Sequence, residues 1–186
     1  AVHALPLLRA GEDPRAVLDA LLAADAGAAH RQFHVLDARG RIAQHTGAAC
    51  VAWAGHLSGA DISVAGNMLA GPQVVRRTLE GFAGARGSLA ERLLAALEAG
   101  EAAGGDRRGK QSAALKICTR DPFPDLDLRA DDHPDPLAEL RRLHRISLER
   151  FAVFRRFLPG ARNGCGVFDR AVIEAAMARE ARPPER

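Results

Sequence analysis

Apolar residues change their spacing in blocks along this chain, and that alternation restricts the fold more than any single motif. The chain opens with helical spacing. Val2, Leu5 and Leu8 form one stripe, with Gly11 as a stop. Asp13 is placed to cap a second helix, Pro14 suits its first position, and Val17, Leu18, Leu21 and Leu22 give its buried face. The period then falls to two. Phe33 and Val35 alternate with His34 and Leu36, Asp37-Ala38-Arg39-Gly40 makes a tight turn, and Arg41 to Thr46 returns. Further strands are expected from Ala48 to Ala54 and from Ile62 to Ala65, with a loop over Gly55 to Gly59. Together these predict an antiparallel meander.

Helical spacing resumes at Pro72, with Val75, Thr78, Leu79 and Phe82 facing inward. Ser88 and Glu91 form a capping box ahead of Leu89, Leu93, Leu94 and Leu97, and Gly100 is expected to end that helix. A Gly-rich polar loop, Gly104 to Gln111, feeds a strand over Ser112 to Thr119, and a second strand runs from Asp125 to Ala130. Asp135-Pro136 starts another helix, whose stripe is read as Leu137, Leu140, Leu143, Ile146, Phe151, Phe154 and Leu158. A last helix is expected from Phe168 to Arg179, and the end from Ala181 to Arg186 is expected to fray. Blocks of strands between blocks of helices imply an α+β fold, antiparallel sheets covered by helices, and argue against a βαβ chain. The expected boundaries are a main domain over residues 1–145 and an Arg-rich helical tail over 146–186.

Composition narrows the setting. Hydrophobic residues at 47% and charged residues at 26% are ordinary for a globular domain. No apolar run reaches the ~20 residues a membrane span needs, and no signal segment opens the chain, so no membrane partner is expected. The three cysteines, Cys50, Cys118 and Cys165, are odd in number and form no CxxC, which points to a reducing, cytoplasmic setting. Charge is uneven. From Arg141 onward there are eleven arginines and five carboxylates, although the whole chain is only +3. A solvated helix face accounts for such a tail, and with no stacking platform or known module, nucleic-acid binding is not expected.

The residues that could carry chemistry are few. The acidic stretch Asp121, Asp125, Asp127, Asp131, Asp132, His133 and Asp135 lacks a fixed ligand loop, so no metal is expected, and nothing calls for a cofactor. His30 and His34 straddle a helix-to-strand boundary. Ser58 lacks the glycine of a nucleophile elbow. Asp106, Arg107, Arg108, Lys110 and Gln111 cluster beside glycines. They form either a polar corner for an anionic or carboxylate ligand, or a local structure in which Asp106 caps a helix turn or pairs with Arg108. Asn67 stands between a strand and a helix, where its amide can face an oxyanion or bond the turn. His45 and His56 lie near strand ends.

Several strings then match a known family: His30-Arg31-Gln32, His45-Thr46-Gly47-Ala48, Ala54-Gly55-His56, Gly66-Asn67-Met68-Leu69-Ala70-Gly71-Pro72, Leu89 to Leu97, Gly100 to Gly109 with Gln111 to Leu115, and Asp127-Leu128-Arg129 with Asp131-Asp132-His133. In that order, over roughly residues 3 to 145, they resemble a bacterial domain of unknown function placed in the Ntn-hydrolase superfamily. The resemblance implies a four-layer αββα sandwich and amide-bond hydrolysis. The nucleophile would be a chain-terminal Thr, Ser or Cys whose own α-amine is the base. It further implies that opening strands with that residue precede Ala1, whose methyl group cannot attack a carbonyl. The supporting residues by this likeness are Asp106 and Ser112, which would orient the amine, and Asn67 on the oxyanion side. Arg107, Arg108, Gln111 and His45 would hold a small amide or peptide. A non-catalytic domain that keeps the fold for binding or assembly is the competing expectation, and a homo-oligomer is expected in either case.

Overall fold

A computed structural model of the chain describes residues 2–121, 123–149 and 151–180. The expectations about Ala1 and about Ala181 to Arg186 lie outside these residues. The fold is mixed α/β, with small antiparallel sheets and helices, and it forms two compact units, Ala1–Lys110 and Gln111–Arg186. No helix among the described residues is long and apolar enough to cross a membrane.

The first unit starts with α1 (Ala4–Arg9) and α2 (Pro14–Ala23). Asp13 caps α2 by accepting the Arg15 N–H at 2.8 Å. Val17 and Leu18 are buried with Ala4, Val35 and Ala43, and Leu8, Leu21, Leu22 and Phe33 close around them. Each valine or leucine here, once fully buried, contributes about 1.5–3 kcal/mol. The stripe expected at the start is corrected here: Val2 and Leu5 are 78% and 55% exposed. A helix of six residues can turn only one i, i+4 row inward, and Ala4 with Leu8 is that row.

Strands β1 (Gln32–Leu36) and β2 (Ile42–Thr46) form an antiparallel hairpin, with Phe33 opposite His45 and Val35 opposite Ala43. Asp37 builds its turn by accepting the N–H groups of Arg39 and Arg41 at 2.9 and 2.8 Å, and Gly40 takes a φ of 77°. The next hairpin differs from expectation. Its strands are β3 (Gly55–Gly59) and β4 (Ile62–Gly66), so the expected loop is a strand and the apolar run from Ala48 to Ala54 is not. The tight turn through Ala60 and Asp61 sets the register and outweighs apolarity. The displaced run finds another use, because the carbonyls of Val51 and Trp53 accept the N–H groups of Met68 and Leu69. The expected meander is therefore two separate two-stranded sheets.

Alternation gives the first hairpin two unlike faces. Phe33, Val35 and Ala43 belong to the core against α2, whereas Gln32, Gln44 and Thr46 bond to the second hairpin. The second hairpin also contacts α3 (Pro72–Gly84), which pairs closely with α4 (Leu89–Ala102). Val74, Val75 and Phe82 of α3 and Leu94 of α4 are buried. The capping box forms, with the Ser88 N–H donating to Glu91 at 2.7 Å and the Glu91 N–H to the Ser88 hydroxyl at 3.3 Å. Leu89 and Leu97, expected in the buried stripe, are exposed. Gly100 does not end α4. It sits buried inside the helix, where a β-carbon would run into the Thr78 hydroxyl on α3.

In the second unit, β5 (Ala113–Ile117) pairs with β6 (Leu126–Ala130) in antiparallel register, Leu115 opposite Leu128. Leu115 and Ala130 are buried. Helix α5 (Pro136–Glu149) runs through the boundary expected at residue 145 and buries Leu140 and His144. Asp135 accepts the Ala138 N–H at 3.2 Å near its start. A short α6 (Phe151–Phe154), a 3-10 turn (Arg155–Phe157) and α7 (Arg170–Glu180) follow. Ile146, Phe151 and Phe154 are exposed and Val153 is buried in their place.

Candidate functional site

Four of the residues singled out in the sequence come together in the first unit. After β4, the turn carrying Asn67 meets the Gly-rich loop that leaves α4. The Ala70 N–H donates to Gly105 O at 3.0 Å, the Arg107 N–H donates to Met68 O at 2.9 Å, and Leu69 and Asp106 face each other in an isolated antiparallel bridge. Gly104 lets the two segments approach, since a β-carbon there would press on the Ala70 methyl at 2.7 Å. Asn67 and Arg107 are exposed at this corner, and among the described residues neither side chain is hydrogen-bonded.

Asp106 is the electrostatic centre of the corner. Its carboxylate accepts the Arg108 backbone N–H at 2.8 Å and a forked pair from the Arg108 guanidinium at 2.9 and 2.6 Å. Those bonds, aided by the charges of Arg108 and Arg107, hold its pKa down at about 2. The group is thus ionised at any ordinary pH. It can orient or attract a cation, but it cannot serve as an acid.

The other expected residues are bonded differently. His45 offers Nε2 to Ala28 O at 3.1 Å and lies beside the Phe33 ring. Gln111 and Ser112 belong to the second unit. There the Gln111 amide donates to Asp132 at 3.3 Å, the Gln111 carbonyl accepts the His133 N–H, and Ser112 is exposed ahead of β5. Four aspartates of the acidic stretch are engaged separately. Asp121 accepts the Ala161 N–H, Asp125 pairs with Arg155, Asp127 with Lys116, and Asp131 with Arg129. Among the described residues no group of three or more His, Cys, Asp or Glu could hold a metal ion.

One polar feature escaped the sequence reading. Between the two hairpins, the Gln32 amide donates to Gly55 O and Gly66 O at 3.1 and 2.9 Å and to the Thr46 hydroxyl at 3.0 Å. The Thr46 hydroxyl in turn meets His56 Nδ1 at 2.8 Å. A parallel chain joins the Gln44 amide, the Ser63 hydroxyl and His34 Nδ1 at 2.7 and 2.8 Å. Burial, then the nearby His45 and His34, lowers the pKa of His56. The signal was available: Gln32, His34, Gln44 and Thr46 share one face of a hairpin and carry no carboxylate or arginine, unlike a solvated face.

Comparison with known proteins agrees with the string pattern. A family model described as a family of unknown function, DUF1028, matches residues 1–140. The crystal structure of protein SPO2555 from Silicibacter pomeroyi, itself described under DUF1028, is 31% identical. That match covers 90% of this chain and 75% of the other, with a TM-score of 0.81. No curated protein matches the chain. Both the extent of the family match and the likeness to a solved member lead to one conclusion: this chain belongs to the DUF1028 family of unknown function.

Proposed function

We propose that this chain carries the scaffold of an Ntn-type amidohydrolase acting in the cytoplasm on a small amide or peptide. The observation that carries the reading is the packing order within the first unit. Helix α2 lies on one face of the first hairpin, that hairpin's other face bonds to the second hairpin, and the second hairpin contacts α3. This is the helix–sheet–sheet–helix succession that an αββα sandwich requires. The corner of Asn67, Asp106, Arg107 and Arg108 supplies what amide hydrolysis needs besides a nucleophile: a fixed carboxylate, a free amide and spare cationic charge.

In this reading a terminal Thr, Ser or Cys adds to the substrate carbonyl carbon, and its own α-amine takes the proton and passes it to the leaving nitrogen. Asp106 orients that amine. The Asn67 amide faces the developing oxyanion, and Arg107, Arg108 and His45 hold the substrate. Water then releases the acyl group. A second reading, a binding domain without catalysis, draws on the same corner, because the Arg108 guanidinium already engages both oxygens of Asp106.

The test is expression from the full coding sequence, including whatever precedes Ala1, followed by a screen of chromogenic amides and mass spectrometry for an acyl adduct. An adduct on a terminal Thr, Ser or Cys, with turnover reduced ~100-fold or more in Asn67→Ala, supports hydrolysis. Absence of both adduct and turnover leaves the binding reading.

A further inference from the structure

We infer that the corner of Asp106, Arg107 and Arg108 takes a molecule with a single free carboxylate beside a short apolar group. The substrate of the proposed hydrolase is then an N-acyl amino acid or the carboxyl end of a peptide, a step that rests on the reading of this corner given above. The observation behind it is how Arg108 is held. Its backbone N–H donates to the Asp106 carboxylate at 2.8 Å, and its Nε and Nη2 donate to the same carboxylate at 2.9 and 2.6 Å. The turn beneath is closed by the Gly109 N–H, which donates to Asp106 O at 2.9 Å, with Gly109 at a φ of 97°. Asp106 thus occupies only the inner edge of the guanidinium. The outer edge, formed by Nη1 and the remaining N–H of Nη2, is a second planar fork with no partner among the described residues, on a side chain that is 64% exposed. Such a fork matches the two oxygens of a carboxylate. Because Arg108 is already ordered, a ligand engages it at little further cost in side-chain freedom.

Charge sets the class of anion. Asp106 cancels one guanidinium, and Arg107, exposed and with no side-chain hydrogen bond among the described residues, leaves the trio one charge positive. Lys110 on the same loop faces Glu101 at 3.7 Å. A monoanion balances this surplus, whereas a phosphate dianion does not. The apolar half follows from strand register. Asp106 stands opposite Leu69 in the bridge between the two loops, so their side chains share a face. At the end of the second hairpin Gly55 and Gly66 are register partners. A β-carbon on Gly66 would press on Leu69 at 2.7 Å, and one on Gly55 would run into the Trp53 ring. Leu69 and Trp53 therefore lie side by side on one face, next to the Asp106–Arg108 pair. Both are half-buried, which leaves part of each open to a ligand. An N-acyl amino acid carries a carboxylate, an apolar side chain and an amide on neighbouring atoms, and so spans these features in one short molecule.

The experiment is an NMR titration of the protein expressed from its full coding sequence, followed on the Arg108 side-chain N–H and the Trp53 indole N–H. The probes are N-acetyl-L-leucine and, as the neutral control, N-acetyl-L-leucinamide. The acid should move both signals and bind ~10-fold or more tightly than the amide, as for a charge-assisted forked pair. Arg108→Lys keeps the charge but loses the fork, and should bring the acid down to the level of the amide. Arg107→Gln, which leaves the Asp106–Arg108 pair in place, should weaken the acid at low salt and much less at high salt. That variant and the comparison of acid with amide decide the outcome even if Arg108→Lys fails to fold. Acid and amide that bind alike, signals that stay still, an acid indifferent to both substitutions, or inorganic phosphate that displaces the acid at lower concentration than acetate does, each overturn the inference. Hydrolysis is judged separately, by the adduct and turnover described above. Acid binding without either leaves the carboxylate site standing and removes hydrolysis; turnover blind to a substrate carboxylate does the reverse.

Discussion

At Asp106 a backbone N–H and a guanidinium from the same residue, Arg108, converge on one carboxylate. Sequence reading left this aspartate between a ligand site and a local pair, and the structure shows the local pair. Spacing explains why the choice was open: residues two apart in a loop can meet only if the backbone turns back, and letters do not report the turn. Its consequence is testable by pH. The folded pKa, about 2, lies below the ordinary 3.8, so the pair favours the folded state above that value and the contribution fades as pH falls toward 2. In Arg108→Gln the guanidinium is lost and the Asp106 midpoint should rise toward 3.8, read by NMR titration of its side-chain carboxyl. A midpoint left near 2 would mean that the backbone alone sets it.

Pairs of elements, above all the two stacked hairpins, show where reading by period succeeds and where it stops. Helix α2 was legible because cap, proline and stripe all fell on the same ten residues. The first hairpin was legible because alternation and the Asp37 turn agreed. The second was misread because small apolar residues from Ala48 to Ala54 imitate a strand, while the turn through Asp61 that fixes the true pairing leaves only a weak trace in letters. The polar layer between hairpins was missed for a related reason: it exists only once the faces meet. That layer should make stability depend on pH. His56 has a lowered pKa, so below 6.5 the unfolded chain takes up a proton that the folded chain resists, and stability falls as pH drops from 6.5 to the lowered value. His45 and His34 face it, and Thr46 bonds it; the ion pairs Arg15–Asp19, Asp25–Arg31 and Asp37–Arg41 on the surrounding elements are balanced in charge. His56→Asn, whose side-chain oxygen can still take the Thr46 hydroxyl, should flatten the fall in melting temperature below pH 6.5. An unchanged slope would assign the effect to other groups.

Over the whole molecule, charge and family point the same way. The family match ends at residue 140, and the arginine surplus begins just after it. A surplus of six positive charges on 46 residues could, from letters alone, be a nucleic-acid footprint or a solvated helix face. The structure shows how several of those charges are used. Arg142, Arg145 and Arg170 pair with Glu139, Glu149 and Glu174 on nearby turns of their own helices, Arg156 pairs with Glu180 at the end of α7, and Arg155 pairs with the buried Asp125. A phosphate backbone would have to displace carboxylates that are covalently tethered at high local concentration, and binding driven by counterion release needs several free cations aligned on one face. The expected outcome is that duplex and single-stranded oligonucleotides leave the fluorescence of the single tryptophan, Trp53, and the sedimentation of the protein unchanged at low salt. Binding that weakens steeply as salt rises, with a slope matching several released ions, would show instead that these pairs open toward phosphate. The arginines would then be a docking face, not the solvated side of a helix.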